Sequence, residues 1–314
     1  LYISQPSLTN AIHELEKEMG INIFNRSNKG ISPSIEGEVF LGYARQVLEQ
    51  AKVLEDKYKG DDGGKKSFCV STQHYSFAVN AFVDLIKRYG QDEYDFSIRE
   101  TQTYEIIDDV ARMRSEIGIL FMNDFNEKVL NKILRANDLE FHELFVAKPH
   151  VFISRKHPLA KNDIITNEEL EAYPYLSFEQ GEHNSFYFSE EIFSTTERKK
   201  NIRVRDRATL FNLLIGLNGY TVCSGVIDEK LNGKDIISVP LADESDMRIG
   251  YIVHRKAILS RLGNTYLGAL ANYLTAGSDE SEDSVKIPQR KLQHRGRFNE
   301  MRDDGEPACG GVGG

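Results

Sequence analysis

The chain has 314 residues, of which 40 % are hydrophobic and 28 % charged, a composition typical of a globular protein with a core and long enough for two or three domains. No apolar run approaches the roughly 20 residues of a membrane-spanning helix, and three scattered cysteines exclude a disulfide scaffold and a cysteine-rich zinc module. The net charge of −9 excludes a non-specific nucleic-acid binder, although not a small DNA-reading module attached to an acidic body.

The first predicted element is a helix over residues 4–19. Ser4 suits the N-cap, Pro6 suits the first turn, and Gly20 suits the position just after the helix. Apolar residues at spacings of 4, 3 and 4 form one stripe: Leu8, Ile12, Leu15 and Met19. The opposite face is polar: Gln5, Ser7, Thr9, Asn10 and His13. A short apolar run at 21–24 and a polar turn at 26–30 follow.

A second helix is predicted from Ser34, which can cap it, to about residue 58. Its apolar residues alternate at spacings of 4 and 3: Phe40, Ala44, Val47, Ala51, Leu54 and Tyr58. These six residues form an apolar seam along the helix, and such a seam predicts that the helix pairs with a second chain. The alternative is an amphipathic helix that lies on its own domain. The glycine-rich, charged segment 60–66 then marks a domain boundary and lacks the spacing of a phosphate-binding loop.

From residue 67 onward, strands and helices alternate. The predicted strands are 67–72, 95–100, 117–121, 146–154, 175–178, 202–205, 220–223, 236–240 and 248–254. The predicted helices are 75–89, 105–113, 133–139, 167–172, 190–196, 208–217 and 259–274. The alternation predicts parallel sheets with helices on both faces, and the length suits two lobes of about 100 residues each. Residues 275–314 hold few apolar residues without periodicity, which predicts a disordered tail.

Several stretches are similar to a known family. The run LYISQPSLTNAIHELEKEMG at 1–20, followed by Ile23, Phe24 and Arg26, resembles the recognition helix and wing of LysR-type transcriptional regulators. The long second helix resembles the dimerising linker helix of that family. The segments 157–160 (HPLA) and 214–220 (LIGLNGY) resemble motifs of its second effector subdomain. The resemblance covers residues 1–274.

The resemblance implies an α/β fold in four parts. Residues 1–34 would form a partial winged helix-turn-helix DNA-binding domain, and residues 35–66 a dimerising linker helix with a hinge. Residues 67–274 would form a two-lobed, periplasmic-binding-protein-like effector-binding domain (type 2). Its lobe I would comprise 67–143 and 245–274, and its lobe II 144–244. The disordered tail, 275–314, would follow.

The sequence departs from the family pattern at its start. The first helix and most of the second helix of the family's winged helix-turn-helix are missing, and the first residue is Leu1 rather than methionine. We therefore expect a longer natural product, and an apolar helix stripe with little to pack against. The wing has Pro33-Ser34 where the family usually has Leu-Thr. No secretory signal is recognisable, and we expect a cytoplasmic location.

The resemblance places the DNA contacts on the polar face of the first helix and in the wing. A recognition helix reads the major groove with its N-terminal side chains, while phosphate contacts set the register. Gln5 can pair with adenine, and Thr9 or Asn10 can reach a base edge or a phosphate. The predicted DNA-binding residues are Ser4, Gln5, Pro6, Ser7, Thr9, Asn10, His13 and Arg26. The alternative is a solvated polar helix face.

The resemblance places a second site in the cleft between the lobes. Polar residues follow several predicted strands, and ligands of open α/β sheets lie at the carboxyl ends of strands. Amides at helix N-termini favour an anion, so we expect a small anionic metabolite. The predicted effector-binding residues are Thr72, Gln73, His74, Thr101, Thr103, Ser177, Thr221, Cys223 and Ser224. The alternative is that these side chains only cap helices.

Three enzymatic interpretations fail on the residues themselves. Cys223 has no second cysteine nearby in sequence, and Cys69 lies on a predicted strand, so both are interpreted as structural thiols. The pair His142-Glu143 lacks the second histidine of a zinc-binding helix, and His74 is a lone histidine. We therefore expect no catalytic residues, no metal and no cofactor.

The sequence thus predicts a ligand-responsive transcriptional regulator. Its partners would be double-stranded operator DNA, a small-molecule effector and further copies of itself, as a dimer or a dimer of dimers, with no membrane contact. One alternative is a stand-alone solute-binding protein of the same two-lobed fold, which would need an export signal. Another is a cleft enzyme, such as a relative of porphobilinogen deaminase or an aminotransferase-like protein, which would need a catalytic constellation.

Overall fold

The computed structural model describes residues 4–27, 30–59, 66–89, 93–183, 185–227, 232–278 and 285–286. In these ranges the chain forms a small N-terminal unit, a long connecting helix and two lobes that are each built on a β-sheet. No helix in these ranges is long and apolar enough to cross a membrane.

The N-terminal unit is a helix followed by a strand pair. Its elements are α1 (Gln5–Met19), β1 (Phe24–Ser27) and β2 (Gly30–Pro33), and the two strands are antiparallel. The helix begins as predicted, since the Ser4 hydroxyl accepts a hydrogen bond from the amide of Ser7 at 3.3 Å. It ends at Gly20, whose φ of 69° is the left-handed conformation that glycine adopts without a steric penalty.

The connecting helix α2 (Ile35–Lys59) confirms the second predicted helix and its cap, because the Ser34 hydroxyl accepts a hydrogen bond from the Gly37 amide at 2.8 Å. In the predicted seam, Phe40 and Ala44 are half-buried, Val47, Ala51 and Leu54 are exposed in the single chain, and the side chain of Tyr58 lies outside the described part. Pairing of this helix with a second chain stays a prediction. Residues 60–65 of the predicted linker also lie outside the described ranges.

The first lobe is a six-stranded sheet with four helices. Its strands are β3 (Lys66–Thr72), β4 (Tyr94–Glu100), β5 (Ile117–Met122), β6 (Leu139–Ala147), β12 (Met247–His254) and β13 (Val285–Lys286). Its helices are α3 (Ser76–Tyr89), α4 (Thr103–Ala111), α5 (Glu127–Ala136) and α8 (Arg261–Ser278). The strand order is β13-β6-β12-β5-β3-β4. Strand β5 is buried along its whole length, which fits a central strand covered on both faces.

The second lobe is a five-stranded sheet. Its strands are β7 (His150–Ser154), β8 (Tyr175–Phe178), β9 (Asn201–Val204), β10 (Tyr220–Cys223) and β11 (Ile236–Pro240), and their order is β11-β7-β10-β8-β9. Its helices are α6 (Asn167–Leu170) and α7 (Arg207–Leu217), with 3₁₀ turns at Gly181–His183 and Phe186–Phe188.

Both sheets are mixed, so the prediction of parallel sheets is wrong. Strand β3 is parallel to β4 and β5, and β8 is parallel to β9 and β10. In contrast, β12 is antiparallel to β5 and β6, and β7 is antiparallel to β10 and β11. The antiparallel pairs arise where the chain crosses between the lobes, from β6 to β7 and from β11 to β12. Local periodicity does not encode such crossings.

The predicted strand 146–154 is in fact two strands in different sheets. Strand β6 ends at Ala147 and β7 begins at His150, so that Lys148 and Pro149 lie at the crossing. Proline has no amide hydrogen for a strand ladder, which favours a break there. The first sheet therefore extends beyond residue 143, the limit that the sequence predicts for this part of lobe I.

Two predicted helices also differ from the structure. Helix α5 begins at Glu127, earlier than the predicted helix 133–139, and Leu139 already belongs to β6. The predicted helix 190–196 does not form; the backbone there is irregular, with a φ of 59° at Phe193. Glu190 and Glu191 bond to distant parts of the chain instead, so tertiary contacts override local helix propensity.

The predicted tail overlaps the last helix. Helix α8 runs to Ser278, so the first four residues of 275–314 are helical, and Val285–Lys286 pair with β6. The remainder of the predicted tail, 279–284 and 287–314, lies outside the described part.

The two second-lobe motifs meet in space. The Nδ1 atom of buried His157 accepts a hydrogen bond from the Leu159 amide at 3.1 Å, so its Nε2 carries the proton and donates to the Asn218 carbonyl at 3.1 Å. Burial lowers the pKa of His157, which favours this neutral ring. The bond ties the chain after β7 to the turn between α7 and β10.

Candidate functional site

The predicted DNA-binding residues are accessible in the N-terminal unit. Most are exposed on α1, Thr9 is half-buried, and Arg26 is exposed on β1. The apolar stripe on the other side is incompletely covered, because Leu8 keeps 46 % and Met19 keeps 49 % of its surface exposed. The structure thus presents the predicted face to a partner, while the contacts themselves stay a prediction.

One carboxylate fixes the position of α1 relative to the strand pair. The Oε1 atom of Glu16 accepts hydrogen bonds from the amides of Ile23 at 2.8 Å and Phe24 at 3.1 Å. These bonds, that of Phe24 foremost, hold the pKa of Glu16 below its usual value. Ile23 is buried, and its carbonyl lies so close to Gly37 of α2 that a Cβ atom there would collide with it. Helix, strand pair and α2 therefore meet at this point.

The cleft between the lobes is crossed by a hydrogen-bond network that starts at Gln73. Its Nε2 donates to the Thr103 hydroxyl at 2.6 Å, and its Oε1 accepts from the Phe121 amide at 3.0 Å. Thr103 in turn donates to the Phe188 carbonyl at 2.7 Å, and its amide donates to Gln180 Oε1 at 3.1 Å. Gln73 bonds within the first lobe and positions Thr103, and Thr103 bonds across the cleft, so these side-chain groups are used by partners in the protein.

His74 forms the second link across the cleft. Its Nδ1 atom lies 2.8 Å from Oε2 of Glu190, and its amide donates to the same oxygen at 3.0 Å. The ring is stacked on Phe178 with the centroids 3.7 Å apart. Burial lowers the pKa of His74, but the charge and hydrogen bond of Glu190 outweigh it and the net direction is upward. Glu190 therefore favours the protonated form of the His74 ring.

A further ion pair also spans the lobes. An Nη atom of Arg207, at the start of α7, lies 2.8 Å from Oε1 of Glu100, at the end of β4. Burial raises the pKa of Glu100, and the charge of Arg207 offsets part of that rise. The carboxyl ends of β3 and β4 are therefore each tied to the opposite lobe.

Among the described carboxyl groups of the cleft, Glu191 has the most strongly raised pKa. It is 3 % exposed, and its Oε1 atom accepts a hydrogen bond from the Phe178 amide at 2.8 Å. Its Oε2 atom is buried without a hydrogen-bond partner among the described residues. Burial, and then the charge of Glu190, raise the pKa of Glu191 to about 8.

The segment around Glu191 separates two cavities, and Glu191 contributes to the wall of both. The smaller cavity, ≈ 40 Å³, contacts the predicted residues His74, Thr221, Cys223 and Ser224. The larger, ≈ 580 Å³, lies between the end of β5, the segment 186–195 and the returning chain at 244–248. None of the nine predicted effector-binding residues lines the larger cavity.

The remaining predicted cleft residues do not face these cavities. Thr72 directs its hydroxyl to the Gln73 carbonyl, and the Thr101 hydroxyl donates to Glu105. Ser177 is a buried residue of β8. The hydroxyls of Thr72 and Thr101 therefore bond to nearby groups of the chain, and a role of these residues in effector binding stays a prediction.

Sequence reasoning missed the groups that shape the larger cavity. Asn123 and Asp124 directly follow the buried strand β5, so the rule of polar residues at strand ends would have found them. The sequence predicts a helix for Glu190 and Glu191, and the only feature that distinguishes them is that two adjacent acids lie among aromatic residues. The acidic residues at 244–246 carried no local signal.

Both described cysteines have pKa values raised by burial, Cys69 and, more strongly, Cys223. A raised thiol pKa is the opposite of what nucleophilic catalysis requires. Among the described residues, no three histidine, cysteine or carboxylate side chains are grouped to hold a metal ion.

The structure combines a helix with an exposed polar face, a strand pair, a long helix and a two-lobed body with a cleft. These parts are typical of one class of protein, the helix-turn-helix transcriptional regulators with a ligand-binding module. Two family models place the chain within it. Residues 68–275 match the LysR substrate binding domain, and residues 1–38 match the bacterial regulatory helix-turn-helix protein of the lysR family. The chain therefore belongs to the LysR family of transcriptional regulators.

Individual relatives agree with this assignment. The chain is 27 % identical over 183 residues to the HTH-type transcriptional regulator YnfL of Escherichia coli (strain K12), an alignment that covers 57 % of this chain but only 58 % of that protein. It is 23 % identical over 297 residues to the regulator YbhD of the same organism, covering 92 % of this chain and 90 % of that protein.

Solved structures share the fold. A full-length OxyR variant from Pseudomonas aeruginosa superposes with a TM-score of 0.59 at 18 % identity, covering 87 % of this chain and 86 % of that one. A hydrogen-peroxide-bound OxyR variant from Corynebacterium glutamicum gives a TM-score of 0.50 at 17 % identity and covers 88 % of each chain.

Proposed function

We propose that this regulator binds operator DNA through the polar face of α1 and Arg26, and that a small molecule in the interlobe cleft controls this binding. The observation that carries the proposal is the contact between α2 and the first lobe. Arg112, just after α4, forms an ion pair with Glu38 of α2, and Arg45 of α2 donates to the Arg112 carbonyl at 2.9 Å. Movement of the lobe on ligand binding would therefore act directly on the helix that follows the DNA-facing unit.

We also propose the domain limits that the sequence predicts, with the first part of lobe I extended to Ala147 because β6 belongs to its sheet. The exposed apolar residues of α2 support a homo-oligomer in which two such helices pair. A cytoplasmic location is part of the proposal, since the DNA face must reach the chromosome.

The test is selection of double-stranded DNA from a random library with the full chain, followed by affinity measurements on the selected sites. We expect sites with dyad symmetry, and at least tenfold weaker binding by Gln5→Ala because a base contact is lost. Lys161→Ala removes an exposed positive charge from the second lobe and serves as a control that keeps full affinity. Failure to enrich any sequence, or equal binding by Gln5→Ala, contradicts the proposal.

A further inference from the structure

The larger cavity of the cleft has a chemistry that points to one class of ligand. Its volume of ≈ 580 Å³ lies in the range of sites for small organic molecules. Its walls combine a buried carboxylate, further acidic side chains and aromatic rings.

The buried carboxylate is Glu191. Its Oε1 atom has a partner in the Phe178 amide, but its Oε2 atom has none among the described residues and is shielded from solvent. Leaving a buried carboxylate oxygen without a hydrogen bond is costly. A positively charged donor in the cavity would supply the missing hydrogen bond and would stabilise the ionised form of Glu191, whose pKa burial raises to about 8.

The other charged groups of the wall reinforce this preference. Three more carboxylates line the cavity: Asp124, Glu244 and Asp246. The guanidinium of Arg248 also lines it, but its charge is paired with Glu127, which lies outside the wall: Nη1 donates to Oε1 at 3.2 Å, and Nη2 lies 2.8 Å from Oε2 without hydrogen-bond geometry. Lys148, also outside the wall, lies 3.0 Å from Asp246 and neutralises part of this charge. The remaining field attracts a cation and repels an anion.

Aromatic rings complete the site. Four phenylalanines line the cavity: Phe121, Phe125, Phe186 and Phe193. Phe125 is held in place by stacking on Tyr187, with centroids 4.8 Å apart. Ring faces beside carboxylates are the environment that binds organic cations, through cation–π attraction and burial of the apolar part.

We propose that this cavity binds a small organic cation, with an ammonium or guanidinium group on an apolar body, and that Glu191 is its counter-ion. The inference rests on the proposed function, because it names the ligand class for the same cleft. It replaces the anion that the sequence suggests, since the amide of His74 before α3 donates to Glu190 and the amide of Thr103 at the start of α4 donates to Gln180.

The experiment uses the full chain and two pairs of probes of opposite charge, titrated by calorimetry. The pairs are 2-phenylethylammonium with 3-phenylpropionate, and butane-1,4-diammonium with succinate. We expect at least one ammonium probe to bind, and its carboxylate counterpart to bind at least tenfold more weakly. Glu191→Gln keeps the acceptor for the Phe178 amide but cannot ionise when a cation binds, and should weaken ammonium binding at least tenfold.

The matched control is Glu182→Gln, which makes the same chemical change at an exposed residue outside the cavity wall and should leave binding unchanged. Melting temperatures of all three proteins show whether each is folded. Tighter binding of a carboxylate, equal binding by Glu191→Gln, or no binding of either ammonium probe overturns the inference. DNA selection with the same preparation reports separately on the proposed function, so that the two can fail independently.

Discussion

The side chains of His74 and Glu190 link the two lobes, with Nδ1 and Oε2 2.8 Å apart, and both are almost completely buried, at 4 % and 5 % exposure. His74 belongs to the first lobe, directly after β3, and Glu190 to the irregular segment after β8. Opening of the cleft therefore has to break or move this pair, and a ligand that opens it must offset that cost.

Removal of Glu190 should destabilise the fold. In Glu190→Ala, the buried His74 loses its counter-charge, and loss of one member of a buried pair costs about 3–5 kcal/mol. Urea unfolding at pH 6, followed by circular dichroism, measures this change in the free energy of unfolding. The exposed Glu182→Ala should stay within about 0.5 kcal/mol of the wild type. A free energy for Glu190→Ala equal to that of the control would show that the pair contributes nothing net.

Stability should fall as the pH rises. The folded pKa of His74 is raised, so the folded state binds the proton more tightly than the unfolded state, and the resulting stability is complete below the ordinary value of 6.5. It is lost as the pH rises through the folded pKa. Glu191, with a pKa raised to about 8, has the same sign, because its charging in the folded state is costly. His150, His157 and His254 have lowered pKa values and act with the opposite sign, but only below about their ordinary value of 6.5. Thermal melts between pH 6.5 and 8.5 should therefore give a decreasing melting temperature; a flat or rising profile in that range contradicts this prediction.

Glu191→Gln should be more stable than the wild type at pH 9. The wild type must then bury a charged carboxylate, whereas the amide stays neutral and keeps an acceptor for the Phe178 amide. Each unit of pKa elevation corresponds to about 1.4 kcal/mol. The advantage should shrink as the pH falls from 8 toward 4.5, the ordinary value of the carboxyl, because the wild-type group is then protonated in the folded state. Parallel urea titrations at pH 5 and pH 9 test this, and an equal difference at both values would rule it out.

Glu16→Ala should weaken DNA binding without lowering the stability of the two lobes. The substitution removes the acceptor of the Ile23 and Phe24 amides, so the strand pair is no longer fixed relative to α1. Fluorescence anisotropy on a selected site should show at least tenfold lower affinity, and hydrogen exchange at residues 23 and 24 should accelerate. Glu14→Ala changes an exposed acid of the same helix and is the matched control. Equal effects of the two substitutions would indicate a general charge effect instead.

Charges on α2 should reduce the size of the assembly. Val47 and Leu54 are 68 % and 59 % exposed in the single chain, and in a paired helix they would be buried. In Val47→Asp with Leu54→Asp, burial of two unpaired charges per helix would oppose pairing. Light scattering coupled to size-exclusion chromatography should give a smaller mass than the wild type. The same mass for both proteins would show that this helix is not a major interface.

Local patterns predicted the elements whose contacts are close in sequence. The cap at Ser4, the glycine at position 20, the length of α2 and the strands around Thr72 and Thr221 follow from spacing, propensity and capping within a few residues. The predicted helix 190–196 failed because Glu190 bonds His74 across the cleft and Glu191 bonds the Phe178 amide of β8, partners that a local helix would not provide. The predicted strand 146–154 failed because periodicity does not report a change of sheet.

The sequence by itself determined the order of the parts, the polar face of α1, the two-lobed body and the family, because these depend on residues at fixed short spacings. Only the tertiary structure decided which groups meet in the cleft. Gln73 bonds Thr103, which lies 30 residues away, and Thr103 bonds Phe188, a further 85 residues on. His74 bonds Glu190 and Arg205, which lie 116 and 131 residues away, so that Thr103 and His74 join the lobes. The acidic character of the larger cavity also depends on the tertiary structure. Its wall includes Asp124, Glu191 and Glu244, which are far apart in sequence and come together only on folding.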